Sequence, residues 1–150
     1  MFKHILIPTD GSKLSNEAAE AGIRLAKALG ARVTALFAAP PATPIIYKSM
    51  LPVGYATPQE HKRMTEKAAA GYLGAIEKAA RSAGVPCEAV SLTSDFPAEA
   101  ILQTAKKRRC DLVFMASHGR RGLRGALLGS ETQKVLAEGK LPVLVYRRGG

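Results

Sequence analysis

Gly119, Gly122, Gly125 and Gly129 fall within one stretch of the chain, interleaved with Arg120, Arg121 and Arg124 and followed directly by Ser130. Glycine lets backbone N–H groups come close to a ligand, and the guanidinium groups bring positive charge to the same loop. Ser130-Glu131-Thr132-Gln133 has the S-x-x-Q spacing of a capping box, so the sequence predicts a helix beginning there with Ser130 as its cap. Amides at a helix N-terminus aim at a ligand, and the helix dipole favours negative charge. The chemistry this stretch suits is the binding of a phosphate group.

Such a loop needs elements to hold it. Asp111 opens the apolar run Leu112-Val113-Phe114-Met115-Ala116, which is too short for a helix and shows no polar alternation. It predicts a strand covered on both faces. Beyond the loop, a short helix Glu131–Glu138 and a second buried strand Pro142–Tyr146 complete the chain. At the other end, Phe2–Ile7 reads as the first strand, stopped by Pro8. Ser12 or Ser15 can cap a helix that runs to Leu29 and stops at Gly30, with Ala18, Ala21, Gly22, Leu25, Ala28 and Leu29 on its apolar face.

Arg32–Ala38 is the second strand. Thr57-Pro58-Gln59-Glu60 is a strong helix start, and that helix should reach Ala83 with Gly84 behind it. Pro86–Leu92 is strand three, and Asp95-Phe96-Pro97 opens a helix to Arg108 that buries Ala100, Ile101, Leu102 and Ala105. Strands and helices alternate throughout, which implies one open α/β domain with a mainly parallel five-stranded sheet. The segment Ala39–Thr57 stands apart, with Pro40, Pro41, Pro44, Pro52 and Gly54 among apolar residues. It either covers core, folds over a ligand or packs at a subunit contact.

Composition narrows the function classes. The 150 residues include Cys87 and Cys110 as the only cysteines, too few for a disulfide framework, and imply reduced core thiols in a cytoplasmic protein. No stretch approaches the ~20 apolar residues needed to span a bilayer, and Met1–Ile5 runs straight into a strand, leaving no room for a signal peptide. The net charge of +10 raises the prospect of a polyanion partner. However, the cations are scattered, aromatics are few, and the run Lys106–Arg109 falls where a helix ends, complementing its dipole. A nucleic-acid partner is not expected.

In open α/β sheets, ligands bind beyond the carboxyl ends of the strands. Three stretches lie there: Pro8–Ser12, Ala38–Pro41 and Ala116–Ser130. Asp10 suits a sugar hydroxyl or a phosphate-bound metal ion, or else an Asx-turn or helix cap. Backbone groups near Ala38 suit a purine edge. G-x-G-x-x-G after the first strand, G-x-x-x-x-G-K-[ST] and G-x-S-x-G are all absent. His4, His61 and His118 lack metal-ligand spacing, and His118 reads as a turn-capping residue rather than a base.

Ile5-Leu6-Ile7-Pro8-Thr9-Asp10-Gly11-Ser12, together with Ser117-His118-Gly119 through Gly129-Ser130 to Pro142–Val145, resembles the universal stress protein family over nearly the whole chain. The nucleotide-binding branch of that family carries G-x2-G-x9-G-[ST]. Gly119, nine further residues and Gly129-Ser130 match it, while Ala116 stands at the first glycine and adds a methyl. The resemblance implies a Rossmann-like fold of the adenine nucleotide alpha hydrolase type, with four helices flanking the sheet.

It also implies a stress-response protein that binds ATP with Mg²⁺ and pairs as a homodimer through Val143–Tyr146. Thr9 and Asp10 would then lie near the ribose, Ala38 would give backbone contacts to adenine, and Gly119, Gly129 and Ser130 would hold the phosphates. Pro8, Met115, Ala116, His118, Glu131 and Thr132 complete the nucleotide-binding set. Arg120 and Arg121 join that set from their charge and position. Two other functions are compatible with the fold. One is a dimeric adaptor without nucleotide, favoured by Ala116. The other is an adenylating enzyme, for which Pro8–Ser12 lacks the glycine–serine loop required.

Overall fold

The computed structural model describes residues 1–41, 57–119 and 127–148. In order these form β1 (His4–Thr9), α1 (Lys13–Leu29), β2 (Arg32–Ala39), α2 (Pro58–Ala83), β3 (Cys87–Thr93), α3 (Pro97–Lys107), β4 (Leu112–Ala116), α4 (Ser130–Glu138) and β5 (Val143–Tyr146). The five strands make one sheet in the order β3-β2-β1-β4-β5, and every recorded pair is parallel. The expected α/β fold is therefore present, with a sheet that is parallel throughout. Arg120, Arg121 and Arg124, and most of the Ala39–Thr57 segment, lie outside the described residues.

Local signals set most of the boundaries. Ser12 caps α1 by accepting from the Ser15 amide at 3.2 Å, and Gly30 closes the helix in the left-handed conformation at φ 67°. Thr57 and Glu60 form the expected capping box of α2, with Pro58 in the first turn and Gly84 at its end. In α3, Lys106 and Lys107 occupy the last turn, where their charges oppose the negative end of the dipole.

Two cores lie on opposite faces of the sheet. Ile5, Ile7, Val33, Ala35, Leu112 and Phe114 meet α1 and α2 on one side. Leu6, Leu36, Val113 and Met115 meet Ala98, Ile101, Ala105 and Val135 of α3 and α4 on the other. Period-two alternation sends neighbouring residues to opposite faces, and both faces are covered, so the strands read as continuous apolar runs.

Tertiary structure departs from the sequence expectations at several places: β5, expected as a buried strand, is a partly exposed strand at the end of the sheet order, and Leu102 of α3 is only half-buried. Pro8 does not stop β1, which continues to Thr9 and pairs Pro8 with Leu36. The His4 carbonyl accepts from the Asp111 amide at 2.9 Å, so in β1 the alternate positions Leu6 and Pro8 turn their backbone toward β4. Pairing with β4 is confined to Ile5↔Leu112 and Leu6↔Val113, so the missing N–H of Pro8 falls just past the end of that ladder.

The buried face of α1 is Leu14, Ser15, Ala18, Ala19, Gly22, Ile23 and Ala26. Ala28 and Leu29 are exposed, because the helix has passed the edge of the sheet by then. Cys87 and Cys110 are free but half-buried rather than core, and burial pushes each thiol up to about 11.

At the amino end of the sheet, Asp111 ties β1 to β4. Its carboxylate accepts from the Lys3 amide at 2.9 Å and from the His4 amide at 3.0 Å. Burial pushes the Asp111 carboxyl up, but these amide bonds outweigh it and the net direction is down. His4 itself is buried, with Nε2 2.7 Å from Thr34 Oγ1 and no partner for Nδ1 among the described residues. Burial, then the Arg32 guanidinium, holds its pKa below the usual 6.5 against the opposing pull of Asp111 and Glu88.

Folded protein therefore disfavours protonated His4, whereas the unfolded chain takes up that proton near pH 6.5. Stability falls as pH drops below this value, by up to ~1.4 kcal/mol per pH unit. Denaturant titrations between pH 7 and pH 5 should show that slope in the parent and a flatter one in His4→Gln; equal slopes would refute the assignment. Two glycines predict opposite signs for one chemical change. A Cβ at Gly22 would lie 2.8 Å from Ile7 Cδ1 and 3.2 Å from Phe114 Cδ1, whereas one at Gly71 would meet nothing within 4 Å. Gly22→Ala should cost about 1–3 kcal/mol by overpacking, and Gly71→Ala should add roughly 0.5–1 kcal/mol. Thermal melts of the two variants check both.

Candidate functional site

In the order β3-β2-β1-β4-β5, the chain winds outward from β1 to β3 and then returns to the other side of β1 for β4. The connections leave in opposite directions at β1 and β4, and a crevice opens beyond their carboxyl ends. The β1–β4 ladder stops before Pro8, whereas β1 stays paired with β2 to Thr9.

Three segments meet at this point. After β1, Asp10 Oδ1 accepts from the Ser12 amide at 2.9 Å, which is the Asx-turn considered for it. Thr9 is buried, with Oγ1 3.2 Å from Ser15 Oγ and 3.1 Å from the Gly11 amide. After β4, Gly119 lies so close to Asp10 that a Cβ there would overlap the carboxylate. Gly129 then returns to the same spot: its amide donates to the Ser117 carbonyl at 2.8 Å, and a Cβ on it would come within 3.0 Å of His118 Cα. Both glycines are needed for close approach. His118 Nδ1 lies 3.2 Å from the Gly119 carbonyl, as expected of a turn-capping residue.

The start of α4 differs from the capping box read in the sequence. Gly129 is the N-cap and Ser130 the first helical residue, with no side-chain cap. Gln133 does not reach back to a Ser130 amide; its Nε2 donates to the Leu128 carbonyl at 2.7 Å. The amide of Gly129 bonds the Ser117 carbonyl and its Cα packs tightly against His118, which holds the helix start in this register. As at any helix start, the amides of Ser130, Glu131 and Thr132 have no acceptor within their own helix. They end the helix toward Ser117–Gly119, and its positive pole is available to an anion.

Two side chains hold α4 in place. Thr132 is buried and donates from Oγ1 to the Ala116 carbonyl at 3.0 Å. Glu131 Oε2 accepts from the Ala98 amide at 2.9 Å, which satisfies one of the free donors at the start of α3, and its other oxygen lies 3.5 Å from Lys134 Nζ. Hence Glu131 and Thr132 are engaged with the protein's own backbone, while Ser130 is exposed.

Pro8, Ala38 and Met115 share one face. Each follows by two positions Leu6, Leu36 or Val113, all of which belong to the core beneath α3 and α4, so they lie on that same face. Pro8 and Ala38 are half-buried at the strand ends, and Met115 and Ala116 are buried. One neighbour escaped the sequence reading. The ring of Tyr72, from α2, lies over Gly11, whose φ of 78° already demands glycine, and stands edge-on to Phe37 at 5.4 Å. No local spacing signals a contact between a helix midpoint and a turn so distant in the chain.

A five-stranded parallel sheet in the order β3-β2-β1-β4-β5, with helices on both faces, defines a doubly wound α/β protein. Within that class, the sequence profile of the Universal stress protein family matches residues 1–147, and the chain belongs to this family. A universal stress protein from Thermus aquaticus is 35% identical over 151 residues, covering 98% of this chain and all of that one. The structure of MJ0577 from Methanocaldococcus jannaschii superposes with a TM-score of 0.78 at 27% identity, covering 100% of this chain and 99% of that one. A family protein from Arabidopsis thaliana with AMP bound has the same fold, with a TM-score of 0.65 at 19% identity, covering 99% and 93% of the two chains.

The Thr132–Ala116 bond predicts a stability cost. Thr132→Val keeps the shape of the side chain but strands a buried carbonyl, and should lower unfolding free energy by about 1–3 kcal/mol. Chemical denaturation of the variant beside the parent measures it.

Proposed function

We propose that the crevice binds an adenine nucleotide and that the chain is a regulatory stress-response module of one domain, with no dedicated catalytic residue. The observation that carries this reading is the meeting of Asp10, Gly119, Gly129 and the first turn of α4 at the switch point. Two glycines there pack closely, Gly119 against the Asp10 carboxylate and Gly129 against His118, and a helix dipole ends beside them. The AMP held by the Arabidopsis relative supports the ligand class.

Backbone at Gly119 and Gly129, with Ser130, would take the phosphates. Thr9 and Asp10 would face the ribose, and the Pro8–Ala38–Met115 surface the adenine. Ala116 is compatible with this arrangement: its side chain is buried and its carbonyl is held by Thr132. Arg120 and Arg121 remain in the proposed set on charge alone. Among the described residues, no group of three or more His, Cys, Asp or Glu is arranged to hold a metal. Mg²⁺ would accordingly enter with the phosphates, with Asp10 as its nearest carboxylate.

No described helix is long and apolar enough to cross a membrane, which fits a cytoplasmic protein. Among the described residues β5 is an edge strand paired with β4 alone, and its Leu144 is 38% exposed. An uncovered parallel edge is a pairing surface, so the homodimer would join through Val143–Tyr146.

Calorimetric titration with Mg-ATP tests the ligand. Gly129→Asp would also distort the contact with His118, so Ser130→Asp is the cleaner variant. It places a carboxylate in the anion position, and a first-turn acid suits the helix dipole. Binding by the parent and its loss in a Ser130→Asp protein of undiminished stability is the expected result. A nucleotide-free parent that binds none would refute the proposal and leave the adaptor function.

A further inference from the structure

Phe96 stands at the N-cap of α3, a position that favours Ser, Thr, Asn or Asp, and supplies no side-chain cap. It does not serve the core either, since it is 63% exposed. The capping it fails to provide comes from another helix, through Glu131 to the Ala98 amide. A residue that breaks a local rule with no structural gain is a candidate for function.

Its backbone is firmly placed. The Ser94 amide donates to the Ala39 carbonyl at 2.9 Å, which pins the turn to the carboxyl end of β2. Ser94 Oγ accepts from the Phe96 amide at 3.0 Å and donates to the Phe96 carbonyl at 3.2 Å, and Pro97 follows as the first helical residue. Two residues on, Ala98 is buried in the same core as Leu6, Leu36 and Met115. Phe96 therefore sits at the rim of the face that carries Pro8, Ala38 and Met115.

We propose that Phe96 is a ligand-positioning residue that lies against the purine ring of the bound nucleotide. This deepens the nucleotide reading above and rests on it. A flat apolar side chain on a fixed turn beside Ala38 offers a stacking surface that the small residues at the strand ends lack. Stacking of an aromatic ring on a base is insensitive to the base's hydrogen-bonding edge and adds affinity without contacting phosphate.

Phe96→Ala and Phe96→Tyr, titrated with Mg-ATP and with Mg-tripolyphosphate, test the assignment. Phe96→Ala should weaken ATP about tenfold, leave tripolyphosphate binding and the melting temperature unchanged, and be rescued in Phe96→Tyr. Equal ATP affinity in Phe96→Ala and the parent would overturn this proposal alone, as would an equal loss for both ligands. A parent that binds no Mg-ATP would overturn the nucleotide reading together with it.

Discussion

The grip on β1 is the constraint on which the rest of the structure depends. At its amino end the strand is bound on both sides, to β2 through the Lys3 carbonyl and to β4 through the Asp111 carboxylate and amide. At its carboxyl end it remains paired with β2 but is free of β4, because Pro8 has no N–H to offer on that side. A parallel sheet closed at one end and open at the other, with connections diverging at the same pair of strands, makes a crevice in a fixed place. Asp10 follows β1 directly and is positioned by the strand rather than by a long loop.

The rest of the candidate site is assembled by contacts from α4. Its start makes three bonds to two other elements: Gly129 to Ser117 and Thr132 to Ala116 at the end of β4, and Glu131 to Ala98 at the start of α3. Each bond satisfies a buried or end-of-helix backbone group that would otherwise be costly to leave unmade. The helix is thereby locked with its positive end toward Asp10 and Gly119. Preorganisation of this sort suits a binding module, in which the amides wait in position and little ordering remains when an anion arrives.

Most of the architecture was legible in the sequence because local chemistry set the punctuation. Ser12, Gly30, the Thr57–Glu60 box and Gly84 each act within a few residues of themselves, and all four do as their types suggest. The Gly119–Gly129 spacing likewise marked the loop that turns back on itself. Errors arose where a local signal competed with packing at a distance. Pro8 looked like a stop, yet the central strand runs through it, since its missing donor falls past the end of a ladder. Ser130 looked like a cap, yet Gly129, tied by its amide to the distant Ser117 carbonyl, takes that place and Ser130 is the first helical residue.

The sequence by itself therefore determined the order of elements, the covering of the sheet on both faces and the presence of a glycine loop leading into a helix. These follow from hydrophobic period, capping and turn chemistry, which act over a few residues and need no knowledge of the rest of the chain. Tertiary structure alone decided the strand order, the meeting of Asp10 with Gly119, the pairing of Glu131 with Ala98 and the placing of Tyr72 over Gly11. Those depend on which surfaces bury one another across long separations in the chain, and no local pattern encodes such a distance.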